Sequence, residues 1–238
     1  MAKNYHIIAL LTAIFVLTSF TACSATRLAN ESIVSQEITV SSFERINISG
    51  SANVRFHHSS THRVVVSINE SAVNQINIRT RGNTLNISAS GRNSRISRFV
   101  VDVYSPRISN VTISGSGNFT AVDAIVTPRF DVNISGSGRM NGRVDCTNFN
   151  GRVSGSGSIN ISGSARNANI RVSGSGSFNG FNFQSQSVSA EVSGSGSANV
   201  HALGSLNARI SGSGSIVYAG EPNNIDRRIS GSGRIVRR

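Results

Sequence analysis

Val153-Ser-Gly-Ser-Gly157 and Val172-Ser-Gly-Ser-Gly176 are two copies of the pentapeptide that decides how this chain folds. Five more copies begin at Ile113, Ile134, Val192, Ile210 and Ile229. The starts lie 21, 19, 19, 20, 18 and 19 residues apart. Degenerate relatives stand at Ile48-Ser-Gly-Ser-Ala52 and Ile161-Ser-Gly-Ser-Ala165. A near-constant period close to 20 means stacked units, each too small to bury a core alone.

Aligned on the motif, the copies show columns. Two residues after each copy stand Phe119, Met140, Ile159, Phe178, Ala198, Ile216 and Ile235. Two residues before each copy stand Val111, Val132, Gly151, Ile170, Ala190, Ala208 and Arg227. Even spacing places such residues on one face of a strand. Helical spacing is absent, and β-branched residues and Gly abound. The pattern predicts an all-β chain, a single-stranded parallel β-helix (β-solenoid) with coils of about 18–21 residues. Coils about 4.8 Å apart would make seven copies a rod of roughly 34 Å. The glycines leave two readings open. Strict alternation turns Ile113, Gly115, Gly117 and Phe119 inward, with Ser114 and Ser116 outward. The alternative is a turn at the glycines that breaks the parity.

The column immediately before the motif reads Thr112, Asn133, Arg152, Arg171, Glu191, Arg209 and Arg228. It is expected to face solvent, with Glu191 relieving repulsion between its neighbours. Arg152, Arg171, Arg209 and Arg228 are the candidate contacts for anions or glycans, because guanidinium binds carboxylate and phosphate bidentately. A solvated face that maintains solubility is the plainer reading. The last copy is followed by Arg234, Arg237 and Arg238. Charge at an open solenoid end discourages edge-to-edge aggregation.

Upstream, Arg63-Val-Val-Val-Ser-Ile68 and Thr84-Leu-Asn-Ile-Ser88 also read as strands. They are expected to begin the same solenoid with less regular coils, a separate small β-domain being the alternative. The chain thus divides into a signal peptide at 1–22, a tether at 23–40, irregular coils at 41–110 and regular repeats at 111–238. Ile7 to Phe20 is an apolar run of 14 residues, too short to span a bilayer and suited to a signal-peptide core. Phe20-Thr-Ala-Cys23 resembles a bacterial lipobox, which makes Cys23 the expected lipidation site; ordinary signal cleavage is the alternative. Ser24 in place of Asp resembles routing to the outer membrane. Cys146 is then left without a disulfide partner and is expected to act as a small buried hydrophobe.

The 238 residues carry 23 basic and 11 acidic side chains, a net charge of +12, yet only 14% are charged. That argues against charge-driven disorder and against a solvated helical bundle. No Lys follows Lys3, which excludes a Walker phosphate loop and a Schiff-base lysine from the body of the chain. Seven equivalent Ser-Gly-Ser-Gly copies suit structure better than one reactive serine. His57, His58 and His62 form the one cluster with metal potential, but no Cys or acid lies beside them in sequence. Asp123 and Asp131 read as solvated carboxylates. No catalytic residue, metal site or cofactor is expected. With no Trp, 3 Tyr and 11 Phe that mostly fit core columns, specific nucleic-acid binding is not expected either.

Three elements together point to a family. The repeated motif, Tyr104-Ser-Pro-Arg-Ile108 and Gly214-Ser-Ile-Val-Tyr-Ala-Gly-Glu-Pro222 resemble the bacterial head GIN domain, also labelled an auto-transporter adhesin. The resemblance covers about Ser42 to Val236. It implies a right-handed coil, a lipoprotein of the cell envelope and no catalytic residues to carry over. The expected function is a non-enzymatic envelope lipoprotein whose β-helical head serves adhesion or surface interaction. Its expected partners are the membrane, through a lipid anchor, and anionic glycans or lipopolysaccharide. A structural or stress-related envelope protein without a ligand is the alternative. A polysaccharide-processing β-helix enzyme would need convergent acids, and none recurs in a column.

Overall fold

Alternating buried and exposed side chains run along nearly every strand of the computed structural model, which describes residues 32–89 and 98–238. The signal segment 1–22 and Cys23 lie outside the described residues. The N-terminal part holds β1 (Ile33–Ile38), β2 (Arg45–Gly50), β3 (Asn53–His58), β4 (Arg63–Asn69), a short 3-10 helix (Glu70–Gln75), β5 (Ile76–Arg81), β6 (Thr84–Ala89) and β7 (Phe99–Ser105). The repeats supply β8 (Asn110–Gly115), β9 (Asn118–Ala121), β10 (Ile125–Gly136), β11 (Arg139–Gly155), β12 (Ser158–Gly174) and β13 (Ser177–Gly194). They continue through β14 (Ser197–Gly212), β15 (Ser215–Ala219), β16 (Asn224–Ser230) and β17 (Arg234–Arg237).

From β8 onward every pairing is parallel, coil upon coil, and the result is a β-solenoid. The register is that of the motif. Ile113 pairs with Ile134, Ile134 with Val153, Val153 with Val172, Val172 with Val192, Val192 with Ile210 and Ile210 with Ile229. Differences in coil length are absorbed away from the motif. The β12–β13 ladder shifts between Asn160 and Gly163, and the β13–β14 ladder between Asn179 and Gln184. Such bulges let a coil gain or lose residues without turning the core face outward.

The first motif glycine makes the corner. Gly115, Gly136 and Gly155 have φ of +110°, +116° and +114°, a region closed to most L-residues. The chain then turns inward again at the second glycine, which is buried. The open question of parity is thereby resolved: Ile113, Gly117 and Phe119 are buried, while Gly115 is exposed at the bend. Backbone bonds tie corner to corner, the Ser137 N–H donating to Gly115 O at 2.9 Å and the Ser156 N–H to Gly136 O at 2.9 Å.

Inside, the apolar columns stack. Phe130 and Phe149 lie 6.5 Å apart by ring centroids, and Phe149 and Phe183 meet edge-on at 5.1 Å. Each buried phenyl stabilises the fold by about 1.5–3 kcal/mol. A half-buried asparagine ladder runs alongside. Asn160 donates to Asn141 at 3.0 Å, Asn179 to Asn160 at 2.6 Å and Asn199 to Asn179 at 2.9 Å. Its signal was a column of Asn at the coil period in the same alignment.

The N-terminal strands belong to the same unit, Glu31–Arg238, but not in chain order. β2 lies between β6 and β8, and β3 between β7 and β9, all parallel. The coil 45–58 is therefore sandwiched, with Ile48 paired to both Ile87 and Ile113. The degenerate copy at Ile48 is a true corner. The one at Ile161 is not part of that column; Ile161 pairs with Gly142 on another wall. β4 and β5 fold back antiparallel to β7 and β6, and β1 pairs antiparallel with β4. Part of the expected tether is thus a strand, because Ile33–Ile38 completes the sheet beside β4.

Candidate functional site: a polar face and a crossing strap

The strands leading into each motif present one outer face. Its side chains are chiefly Asn, Ser and Arg, since the partners of these strands bury the alternate positions. Arg152, Arg171, Arg209 and Arg228 are all exposed there, and pairing places them in register, with Glu191 between Arg171 and Arg209. Arg171 Nε reaches Glu191 Oε2 at 3.2 Å. Asp226 lies 3.8 Å from Arg209 and 3.4 Å from Arg228. Arg152 has no ion pair among the described residues. Exposed pairs of this kind are worth about 0–1 kcal/mol, so they leave the guanidinium groups available to a competing anion.

A second region was not foreseen. To pass from β7 to β8 the chain must cross the intervening coil 45–58, and it does so through Tyr104-Ser-Pro-Arg-Ile108. Ser105 is fully buried and its hydroxyl donates to Arg107 O at 2.9 Å. Arg107 pairs with Glu44, and the Ser109 N–H donates to Glu44 O at 2.8 Å. The Arg107 guanidinium holds the Glu44 carboxyl below its ordinary pKa. Two clefts flank this strap and share Pro106 and Arg107. One of about 710 Å3 is lined by Phe43, Glu44 and His62, the other of about 450 Å3 by Phe56, His58, Ile108 and Asp123.

The three histidines are parted by their folds. His57 Nε2 lies 3.1 Å from Asp102, and its ring stacks on Tyr104 at 4.8 Å. The His58 backbone N–H donates to Asp123 at 2.9 Å. The His62 ring bonds Phe43 O at 3.0 Å. Acids do reach the His57 ring and the His58 backbone, but from β7 and from the turn after β9, which proximity in sequence concealed. Asp102 also receives Nε and an Nη of Arg55 at 2.6 and 2.5 Å. Burial pushes the Asp102 carboxyl up, but the bonds from Arg55 and His57 outweigh it and hold the group below its ordinary value. This set locks β3 to β7. No group of three or more His, Cys, Asp or Glu able to hold a metal occurs among the described residues.

Asp131 is engaged too, receiving Arg129 Nε at 2.9 Å and Asn150 at 2.6 Å. Cys146 is half-buried rather than fully buried, packed against the core. Burial, with Asp145 and Asp131 nearby, pushes its thiol up to about 12. It is therefore a protonated, unreactive thiol at neutral pH.

The class these features define is a parallel β-solenoid that offers ordered side-chain columns along its length. Residues 42–222 match the family described as "Putative auto-transporter adhesin, head GIN domain", and the chain belongs to that family. Among solved structures, a "putative adhesin" from Bacteroides fragilis superposes with a TM-score of 0.83 at 22% identity, covering 87% of this chain and 97% of that one. A "Putative lipid binding protein" from Parabacteroides distasonis gives 0.74 at 26% identity, covering 88% and 98%. A "putative adhesin" from Parabacteroides merdae gives 0.72 at 22% identity, covering 88% and 97%. No curated protein matches the chain. Among the described residues no helix is long and apolar enough to cross a membrane.

Proposed function

We propose that this chain is a non-enzymatic protein of the cell envelope, exported and anchored to the outer membrane by a lipid on Cys23. Its solenoid head serves adhesion or surface interaction. The ligands we assign to it are anionic glycans, lipopolysaccharide among them. One observation carries the reading: four exposed arginines lie in register on a single face rich in amides and hydroxyls, with Glu191 and Asp226 the acids beside them. Guanidinium forks bind carboxylate and phosphate bidentately, and neighbouring amides and hydroxyls can bond sugar. The family description supports adhesion in general terms.

The test replaces Arg152, Arg171, Arg209 and Arg228 with Ser together. All four are exposed, so the melting temperature should hold. Affinity for lipopolysaccharide and acidic polysaccharide should fall by about tenfold or more, and its salt dependence should shrink. Unaltered binding would remove this face as the site, and absence of any glycan binding by the wild type would favour a purely structural envelope protein. Mass spectrometry of the membrane-extracted protein, looking for an acylated Cys23 peptide, tests the anchor.

A further inference from the structure

The two ends of the solenoid differ. At one end β1 and β5 run antiparallel to their neighbours β4 and β6. At the other end lie β16 and β17. Among the described residues β16 pairs only with β14 and β17 only with β15, so their outer N–H and C=O groups meet no strand. Ile225, Ile229 and Val236 are 39%, 48% and 41% exposed there. An edge of this kind accepts a further strand.

The same coil breaks the core pattern at one residue. Two positions before the motif, Val111, Val132, Ile170, Ala190 and Ala208 are all essentially buried. Arg227 pairs with Ala208 and takes that inward register position in the final coil, where it is exposed. Arg228, Arg234, Arg237 and Arg238 share the coil. Asp226 and Glu221 bond Arg228 and Arg237, and Arg238 lies over the Phe181 ring at 4.8 Å. Arg227 and Arg234 have no ion pair among the described residues.

A second copy of the chain fits this edge poorly face to face. Two such ends would then oppose two sets of five arginines. Like charges brought together across an interface are strongly disfavoured. The other end is mixed in charge, with the exposed Arg79 and Arg81 on β5 and the exposed Glu37 on β1. What complements the edge is a strand with apolar and acidic side chains. We propose that the C-terminal coil is a strand-addition surface for an extended acidic segment of another protein, with Arg227 reading its charge. Backbone ladder bonds along β16 and β17 hold the segment, the exposed Ile and Val side chains pack on it, and a carboxylate over the end of the core meets Arg227. This surface shares Arg228 with the arginine face but does not depend on that face binding anything.

Fluorescence anisotropy tests the proposal, using the full chain and short labelled peptides that alternate Val with Glu, Val with Gln or Val with Lys. The wild type should bind the Glu peptide about tenfold or more tighter than the Gln peptide. Arg227→Glu should reverse the preference toward the Lys peptide. Arg227→Gln, which keeps most of the volume, should bind the Glu peptide more weakly than the wild type, and it serves if the reversed variant does not fold. Equal binding of the Glu and Gln peptides by the wild type, or a preference unmoved by both substitutions, overturns the proposal. So does sedimentation of the wild type as an end-to-end dimer, or displacement of the peptide by an acidic polysaccharide of equal charge.

Discussion

Gly138 carries no side chain because none would fit. A Cβ there would stand 2.6 Å from Ile113 Cγ2 and 2.7 Å from Gly117 O, one an apolar group in the core and the other the backbone of the preceding coil. Neither can retreat without prising two coils apart. Gly138→Ala should therefore destabilise the protein by about 1–3 kcal/mol, read as a lowered urea midpoint, whereas Ser137→Ala at the exposed corner should change it little. Equal effects would show that the corner, and not close packing, is what needs glycine. Gly151 illustrates the same economy of space. It interrupts an apolar column because a Cβ would lie 2.8 Å from the Phe149 ring. The alignment showed both glycines but not why they were there. A repeat reports that a position is constrained, while the constraint itself is set by neighbouring coils.

At the scale of the element, Asp102 joins β7 to β3 through Arg55 and His57. Its pKa is lowered by folding, so the stabilisation it gives is complete above the carboxylate's unfolded pKa of about 3.9 and is lost as pH falls through the lower folded value. Arg55 is half exposed, so solvent screens part of the effect. Asp102→Asn should lower stability at neutral pH by about 1–3 kcal/mol, and the difference from the wild type should narrow below about pH 4. Urea titrations of both proteins across pH check this; a difference independent of pH would mean that shape and not charge matters at Asp102. Pairings of this sort were illegible beforehand. The repeat period fixed which residues meet within 111–238, because each copy's neighbour is the next copy. Upstream, the likeness of Ile48-Ser-Gly-Ser-Ala52 to the motif said that it forms a corner and nothing about which corner it abuts. The histidines were judged by their sequence neighbours, and their acids came from 45 and 65 residues away.

For the whole molecule, stability is a sum over neighbouring coils. Among the described residues β11, β12, β13 and most of β14 have a parallel neighbour on both sides, whereas β16 and β17 have one. Hydrogen exchange should accordingly be slowest in β11 to β14 and quicken toward β16 and β17. Uniform protection would mean that the solenoid opens only as one block.

The sandwiched coil also governs the order of assembly. Chains are made from the N-terminus, so residues 45–58 emerge before either neighbouring coil exists. Their partners in β6 and β7 come next, and Ile113 only 65 residues after Ile48. Beyond that point each coil finds its template already laid, about 20 residues back, and growth can proceed as a zipper. The early end must instead wait, with the hydrophobic flanks of β2 and β3 bare, until the chain has doubled back, crossed over through Pro106 and come to rest on the far side. A growing chain thus carries its first-made coil partly bare until β8 and β9 close over it, whereas every later coil is covered on one side as it forms.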